Sequence, residues 1–267
     1  MVHFEGDSMF DIGRLRVRKE VHKEREKVLS YQRKEKINLI PDRNWILSVV
    51  LPHQALRILD IGPCPFVFDF LIESERRKLY EYHTMDYPAK NGAARANTIA
   101  HIHNADLPGY PFEDAYFDVV IAADVIEHIK ENGVFLKEIH RILKPEGELF
   151  LTTPNYGSIA AIKRVLFGRM MHDPLGSDLE RYCFYDHVRY FTTVDLMRYL
   201  RNNRLFPNTL VVTGLITDRG YPFRSFPWNL LMKYVYNALP RIHYRFAHQT
   251  TLIAAKNETP VDMIYVH

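Results

Sequence analysis

RILDIGPCPFVFDF, residues 57–70, is the stretch that decides the fold of this chain. It opens with a short apolar run that contains one acid, Asp60, and Gly62 follows directly. Such a run is typical of the first strand and turn of a nucleotide-type cofactor site in an α/β protein. These turns usually contain two or three glycines and this turn has one, so whether it binds a cofactor is a question in itself.

Short apolar runs alternate with amphipathic segments from residue 57 onward, which predicts parallel strands connected by helices. Helices are predicted at 132–143, where "KPEG" provides the stop, and at 193–204, where Thr192 is a suitable cap. Strands are predicted at residues 57–61, 80–86, 101–104, 117–122, 147–153, 209–216 and 250–256.

The overall composition is that of a soluble globular protein, with 47% hydrophobic and 25% charged residues. No uncharged apolar run approaches the ~18 residues that cross a bilayer. The beginning of the sequence lacks the order of a secretory signal, and two cysteines cannot form a disulfide framework, so we expect a cytoplasmic protein. We divide the chain into a basic helical extension at 1–42, a main domain at 43–258 and a tail at 259–267. The main domain contains two insertions, at 154–188 and 218–248.

Two segments suggest partners, and each has a plain structural alternative. Residues 14–36 hold ten Lys or Arg and four Glu, a net charge of +6 in a chain of +3. This helix contacts phosphate, or it is a solvated helix held by Glu/Lys pairs. Residues 218–248 are aromatic and basic, so they form a lid or lie peripherally on a membrane, or else pack against the core. No RNA-reading motif accompanies them, so a nucleic acid partner is not expected.

Acids follow the first four predicted strands, at Asp60, Asp86, Asp106 and Asp124. The carboxyl ends of parallel strands meet at one edge of a sheet, which is where ligands bind in this class of fold. Carboxylates gathered there repel each other unless a ligand supplies donors and positive charge. An adenosine with a ribose diol, an amino group and a sulfonium would satisfy them.

The order and spacing of four motifs resemble the class I S-adenosylmethionine-dependent methyltransferases, particularly the small-molecule type with an "EH" pair after the fourth strand. The motifs are "LDIGPCPF", "MDYP", "NADLPGYPFEDAYFDVVIAADVIEHI" and "EIHRILKPEGELFLTTPN", and the match covers about residues 45–216. The resemblance implies a Rossmann-like, seven-stranded, mostly parallel sheet with an antiparallel last strand and helices on both faces. It implies S-adenosylmethionine as cofactor, with contacts at Asp60, Gly62, Asp86, Asp106, Leu107 and Ala123.

The turn departs from the family, in which it commonly reads Gly-x-Gly-x-Gly. Cys64 and Phe66 occupy the second and third glycine positions here. We expect the backbone of Gly62, Pro63 and Cys64 to bind the cofactor nonetheless, with Tyr87 beside it at the second strand end. The alternative is a domain that has lost cofactor affinity and serves as a binding module for an anionic partner.

The expected reaction is methylation, at oxygen, of a small-molecule acceptor of sugar or lipid type. His187, in "YDHVRYFT", is the candidate base, with Asp186 or Tyr185 to orient it, and His128 is the second catalytic candidate. Arg189 would bind a phosphate or carboxylate of the acceptor, with Tyr185 also on the substrate side. Structural roles for these residues stay open, as does the oligomeric state.

A metal site is not predicted. His101 and His103 share one face of a predicted strand, but no third ligand accompanies them in the sequence.

Overall fold

A computed structural model describes residues 56–63, 80–87, 98–168, 187–213, 245, 247, 249–258 and 261–266. The predictions made for the basic extension, for Cys64, for Tyr185 and for the insertion at 218–248 apart from residues 245 and 247 lie outside these residues. Among the helices that the structure describes, none combines the length and the apolar character needed to cross a membrane.

The described residues form eight strands and three α-helices. The helices are α1 (Asn132–Ile142), α2 (Ile159–Leu166) and α3 (Thr193–Asn202), and a single 3-10 turn spans Ile126–His128. The strands are β1 (Leu56–Ile61), β2 (Tyr80–Asp86), β3 (Ile99–Ile102), β4 (Phe117–Ala123), β5 (Leu143–Pro154), β6 (Phe206–Thr213), β7 (Gln249–Ala255) and β8 (Asp262–Val266).

All eight strands belong to one sheet with the order β3-β2-β1-β4-β5-β7-β6-β8. The pairings from β3 across to β5 are parallel, and β7 is antiparallel to both β5 and β6. The predicted α/β class and the antiparallel seventh strand are therefore confirmed. Parallel neighbours require crossover connections, so the chain leaves this sheet after each of the first strands and returns to it.

The sheet extends one strand further than the sequence predicted. β8 lies within the segment that was assigned to a tail, and it pairs in parallel with the outer side of β6. Its apolar run is short and stands near the end of the sequence, so local pattern distinguishes it poorly from a terminal segment. The edge of β6 supplies the partner that makes it a strand.

Two helices cover one face of the sheet, on a core to which alternate strand residues contribute. Leu59 and Ile61 of β1 belong to this core, as do the apolar faces of both helices: Phe135, Leu136, Ile139 and Ile142 of α1, and Leu196, Met197 and Leu200 of α3. The opposite face is covered as well, because Ile58, Ile121 and Phe150 are all buried. Central parallel strands that are buried on both faces explain the nearly continuous apolar runs in the sequence.

The "KPEG" segment ends α1 as predicted, but it is part of β5 and not a loop before it. The pairing of β4 with β5 shifts register here, because Phe117 lies opposite Leu143 and Val119 opposite Glu148. The extra residues, which include Pro145, form a bulge, one of the places where a sheet tolerates proline.

Gly62 provides the clearest test of how the first turn is built. Its φ is +61°, and a Cβ placed there would lie 2.9 Å from Cγ2 of Val125. We expect Gly62→Ala to lower the free energy of unfolding by about 1–3 kcal/mol, because both the backbone and Val125 must adjust. Urea denaturation measures this change.

Gly109→Ala is the matched control, because Gly109 has a φ of +80° and nothing within 4 Å of an added Cβ. It should cost less, about 1 kcal/mol, since only the backbone is strained. Equal losses in the two variants would show that packing against Val125 contributes nothing.

Candidate active site

The carboxyl ends of β1, β2, β3 and β4 lie side by side at one edge of the sheet. Ile61 of β1 is level with Met85 of β2 and with Ala122 of β4, while Asp86 is level with Ile102 of β3. The acids predicted after these strands therefore share this edge.

Asp60 supports the first turn from inside the sheet. Its side chain is 1% exposed, and one carboxylate oxygen accepts a 2.8 Å hydrogen bond from the hydroxyl of Tyr82 on the neighbouring strand. The amide of Gly62 donates to the carbonyl of Met85 at 2.9 Å, which ties the turn to the end of β2. Pro63 is buried directly after it.

Asp86 stands at the end of β2, half-buried at the sheet edge. Its Oδ1 accepts a 2.8 Å hydrogen bond from the amide of Tyr87, and the Tyr87 side chain is 62% exposed. Burial raises the pKa of the Asp86 carboxyl above its ordinary value, and the bond from Tyr87 opposes this only in part. A carboxylate held in this way gains from a ligand that donates to it.

Asp106 and Asp124 have structural partners in other elements. Oδ1 of Asp106 accepts from the amides of Lys130 at 2.7 Å and Glu131 at 2.9 Å, immediately before α1. Oδ1 of Asp124 accepts from Oγ1 of Thr152 at 2.8 Å and from the side-chain amide of Gln249 at 2.7 Å, so it joins β4 to β5 and β7.

All four acids lie at this edge, and the cofactor contacts predicted for them stay predictions. Asp60, Asp106 and Asp124 hold parts of the fold together, and their carboxylates already have protein donors. Asp86 differs, since its partner is the adjacent residue of its own turn. Leu107, which is 54% exposed, and Ala123, which is buried at the end of β4, lie at the same edge.

The two predicted catalytic histidines meet in space. The ring centroids of His128 and His187 are 4.7 Å apart with the rings nearly perpendicular, at 77°. Backbone amides of Val188 and Arg189 donate to the carbonyl of Glu127, at 2.8 Å and 3.1 Å. These two hydrogen bonds hold residues 187–189 against the 3-10 turn and bring the imidazoles together.

Two side chains that sequence reasoning missed complete this group. The buried Tyr156 hydroxyl lies 2.5 Å from Nδ1 of His187. The buried carboxylate of Glu127 accepts a 2.9 Å bond from Oγ1 of Thr153. Glu127 stands in the motif that ends in "VIEHI", and Tyr156 directly follows the motif that ends in "TTPN". Their proximity to His187 depends on contacts between segments that are distant in sequence. We call Glu127, His128, Tyr156 and His187 the imidazole cluster.

Asn155, the neighbour of Tyr156, is a structural residue. Its side-chain amide donates to the carbonyls of Arg245 at 2.9 Å and Ala247 at 2.7 Å, and its oxygen accepts from the amide of Gly157 at 2.9 Å. These bonds hold the start of the segment after β5 against the chain that leads into β7.

The guanidinium of Arg189 is exposed next to the cluster. Its Nη2 donates to the carbonyl of Lys130 at 3.0 Å, which directs it along the segment between the 3-10 turn and α1. The predicted role of Arg189 in holding an anionic group of the acceptor stays a prediction, as does that of Tyr185, which lies outside the described residues.

The two histidines considered as a metal pair in the sequence act separately. His101 lies with one ring nitrogen 2.9 Å from His83, and His103 lies 3.3 Å from the carbonyl of Leu107. The group with metal-ligating geometry is a different one: the ligand atoms of Glu127, His128 and His187 all lie within 4.8 Å of one another.

Residues 59–151, from β1 to β5, match the family described as "Methyltransferase domain". This chain contains a class I S-adenosylmethionine-dependent methyltransferase domain. A mitochondrial ubiquinone biosynthesis O-methyltransferase of Rattus norvegicus is 33% identical over 55 residues, which are 21% of this chain and 16% of the rat protein. A ubiquinone/menaquinone biosynthesis C-methyltransferase of Vibrio vulnificus is 24% identical over 131 residues, 47% of this chain and 45% of that protein.

The fold is shared more widely than the sequence. A chain in the structure of a complex between a methyltransferase activator of Haloferax volcanii and its methyltransferase has a TM-score of 0.55. It is 16% identical, and the superposition covers 91% of this chain and 98% of that one. Because this chain spans less than half the length of either relative, their activities do not transfer to it directly.

The raised pKa of Asp86 predicts how the methyltransferase domain responds to pH. The unfolded chain releases this proton near pH 3.8, whereas the folded chain keeps it to higher pH. The folded state therefore loses relative stability as pH rises through that window. Asp86→Asn should match the wild type below the window and be more stable than it at neutral pH, as measured by urea denaturation at both pH values.

Glu81→Gln is the control of opposite sign. The hydrogen bond from His83 lowers the pKa of Glu81, so its ionised form adds stability above pH 4.5. This variant should be less stable than the wild type at neutral pH. A stability loss in Asp86→Asn as well would mean that Asp86 is a structural acid like Asp60.

Proposed function

We propose that this chain transfers the methyl group of S-adenosylmethionine to an oxygen atom of a small-molecule acceptor bound beside the imidazole cluster. One contact carries the proposal. Gly62, in the predicted cofactor turn, abuts Val125, and Val125 directly precedes the 3-10 turn that bears Glu127 and His128. A ligand in that turn would therefore lie next to the cluster.

The polar and apolar groups at the sheet edge suit the cofactor of this family. S-adenosylmethionine supplies a methyl group on a positively charged sulfur, which becomes a neutral thioether when the methyl group leaves. The backbone after Gly62 would face its polar tail, and Asp86 would accept from the ribose hydroxyls through charge-assisted bonds. Leu107 and Ala123 offer apolar surface at the same edge.

Oxygen is the favoured acceptor atom because of the cluster. A hydroxyl must lose its proton as it is methylated, and an imidazole close to the reacting atom promotes that loss. Tyr156 fixes the orientation of His187 through the 2.5 Å contact with its Nδ1. The names of the relatives include both an O- and a C-methyltransferase, and a carbon acceptor would make less use of two imidazoles.

The acceptor itself is expected to be of sugar or lipid type, as in the sequence-based hypothesis. Arg189, exposed beside the cluster, would bind an acidic group on it. Peripheral contact of residues 218–248 with a membrane and a cytoplasmic location remain predictions.

Cofactor binding is tested by calorimetry with S-adenosylmethionine. Asp86→Asn should weaken binding by about 1.5–3 kcal/mol, because hydrogen bonds to a charged acceptor are lost. Asp118→Asn is the matched control: Asp118 accepts from Lys144 at 2.6 Å and from the amide of Arg57 at 2.8 Å, near the start of β4 at the opposite edge. It should leave the affinity unchanged.

The catalytic role of the cluster is tested with His187→Gln. This variant should keep its affinity for S-adenosylmethionine and lose about 10²–10⁴ in turnover. Transfer of radiolabelled methyl to a panel of phenols and polyols measures the turnover. An equal loss of affinity would show that His187 belongs to the cofactor site. Failure of the wild-type protein to bind the cofactor would instead favour the binding-module alternative.

A further inference from the structure

The imidazole cluster has a composition that proton transfer alone does not require. Glu127, His128 and His187 present one carboxylate oxygen and two ring nitrogens, all within 4.8 Å of one another. Two imidazoles and one glutamate are the donor set of several catalytic zinc sites, which leave a fourth position open. We infer that these three side chains bind a zinc-type divalent cation, with the open position directed to the acceptor hydroxyl. The role of the ion, though not its binding, rests on the proposed methyl transfer.

The spacing of the three groups is close to what such an ion needs. Ligand atoms at ~2.1 Å around a tetrahedral ion lie roughly 3.4 Å apart. The ligand atoms lie at most 4.8 Å apart, so the widest pair must approach by up to about 1.4 Å on binding. His128 and His187 are half-buried and their rings are nearly perpendicular, so modest rotations bring one nitrogen of each toward Glu127.

The surrounding hydrogen bonds are those that orient metal ligands. Thr153 donates to the carboxylate of Glu127 at 2.9 Å, and the Tyr156 hydroxyl lies 2.5 Å from Nδ1 of His187. Partners of this kind fix the direction of a ligating carboxylate and the tautomer of a ligating imidazole. The backbone hydrogen bonds from residues 188 and 189 to the carbonyl of Glu127 hold His187, the third ligand, in place.

The buried carboxylate adds an electrostatic argument. Glu127 is fully buried, and an ionised carboxylate in that position needs a positive charge close by. A divalent ion would supply that charge, and a cationic side chain near the carboxylate, such as a protonated imidazole, is the competing source. Metal titration distinguishes the two sources, because only the first gives a measurable number of bound ions per chain.

The donor atoms and the reaction together select the kind of ion. Magnesium and calcium favour oxygen ligands, whereas two imidazoles favour zinc and its neighbours in the transition series. The same donor set holds iron(II) in oxygen-dependent enzymes. Methyl transfer from a sulfonium exchanges no electrons with an oxidant, so a redox-inert ion fits.

An ion in this position would assist the reaction in a defined way. A hydroxyl that binds a divalent cation has a lowered pKa. Its O–H bond breaks, the electron pair stays on the oxygen and the proton leaves to water. The ion then replaces His187 as the group that promotes loss of the hydroxyl proton, because a ring nitrogen that binds the ion cannot also accept a proton.

The test uses the full chain, stripped with a chelator and titrated with Co²⁺ and Zn²⁺. We expect one ion per chain by calorimetry, and a visible absorption spectrum typical of tetrahedral Co²⁺ that Zn²⁺ abolishes. Glu127→Gln, His128→Gln and His187→Gln should each remove this signal. Tyr156→Phe should retain it with affinity lowered about 10- to 100-fold, because an orienting partner is lost and the ligands remain.

His140→Gln is the matched control. His140 is a half-buried histidine near the end of α1, where burial, and to a smaller extent the positive charges of Lys256 and Arg204, lower its pKa. This variant should bind Co²⁺ like the wild type, and circular dichroism should show that all variants fold. Absence of the spectrum in the wild type, or its persistence in the three ligand variants, would overturn the inference.

The two proposals fail in different ways. A protein that binds S-adenosylmethionine and methylates an acceptor without any bound ion would overturn the metal site and leave the methyltransferase proposal standing. A protein that binds Co²⁺ at the cluster but has no affinity for S-adenosylmethionine would support the metal site and contradict the proposed function.

Discussion

Parallel pairing of β1 with β2 on one side and with β4 on the other is the constraint on which the rest of the structure depends. It places the ends of these strands level at one edge, so that Gly62, Asp86 and Ala123 become neighbours although long segments separate them in sequence. Gly62 then packs on Val125, and the first turn is joined to the 3-10 turn that follows β4. The predicted cofactor turn is thereby adjacent to the segment that leads into the imidazole cluster.

β1, β2 and β4 at this edge could be predicted from the sequence because their central residues are buried on both faces, and their apolar runs stand out from their surroundings. The mostly exposed β3 was predicted two residues too late. The same local reasoning missed β8, whose short run becomes a strand only through the edge of β6. It also placed the start of β5 too late, since residues 144–147 are a bulge and their Pro and Gly indicate a break by composition. Non-local pairing decided both outcomes.

The candidate site, too, could be predicted only in part from the sequence. His128 and His187 could be singled out because imidazoles are suited to proton transfer, and the structure brings them to 4.7 Å. The roles of the acids could not be separated in advance, since the donors to Asp60, Asp106 and Asp124 come from Tyr82, from the backbone before α1 and from Gln249. Tyr156 and Glu127 were missed for the same reason. A carboxylate shows its function only when its partners are known.

A crystal structure of the protein with S-adenosylhomocysteine bound would test the central claim most directly. The account predicts that the ribose hydroxyls lie within hydrogen-bonding distance of Asp86, and that the sulfur faces the space beside His128 and His187. A ligand bound away from the carboxyl ends of β1 and β2, or with its sulfur directed away from the imidazole cluster, would contradict it.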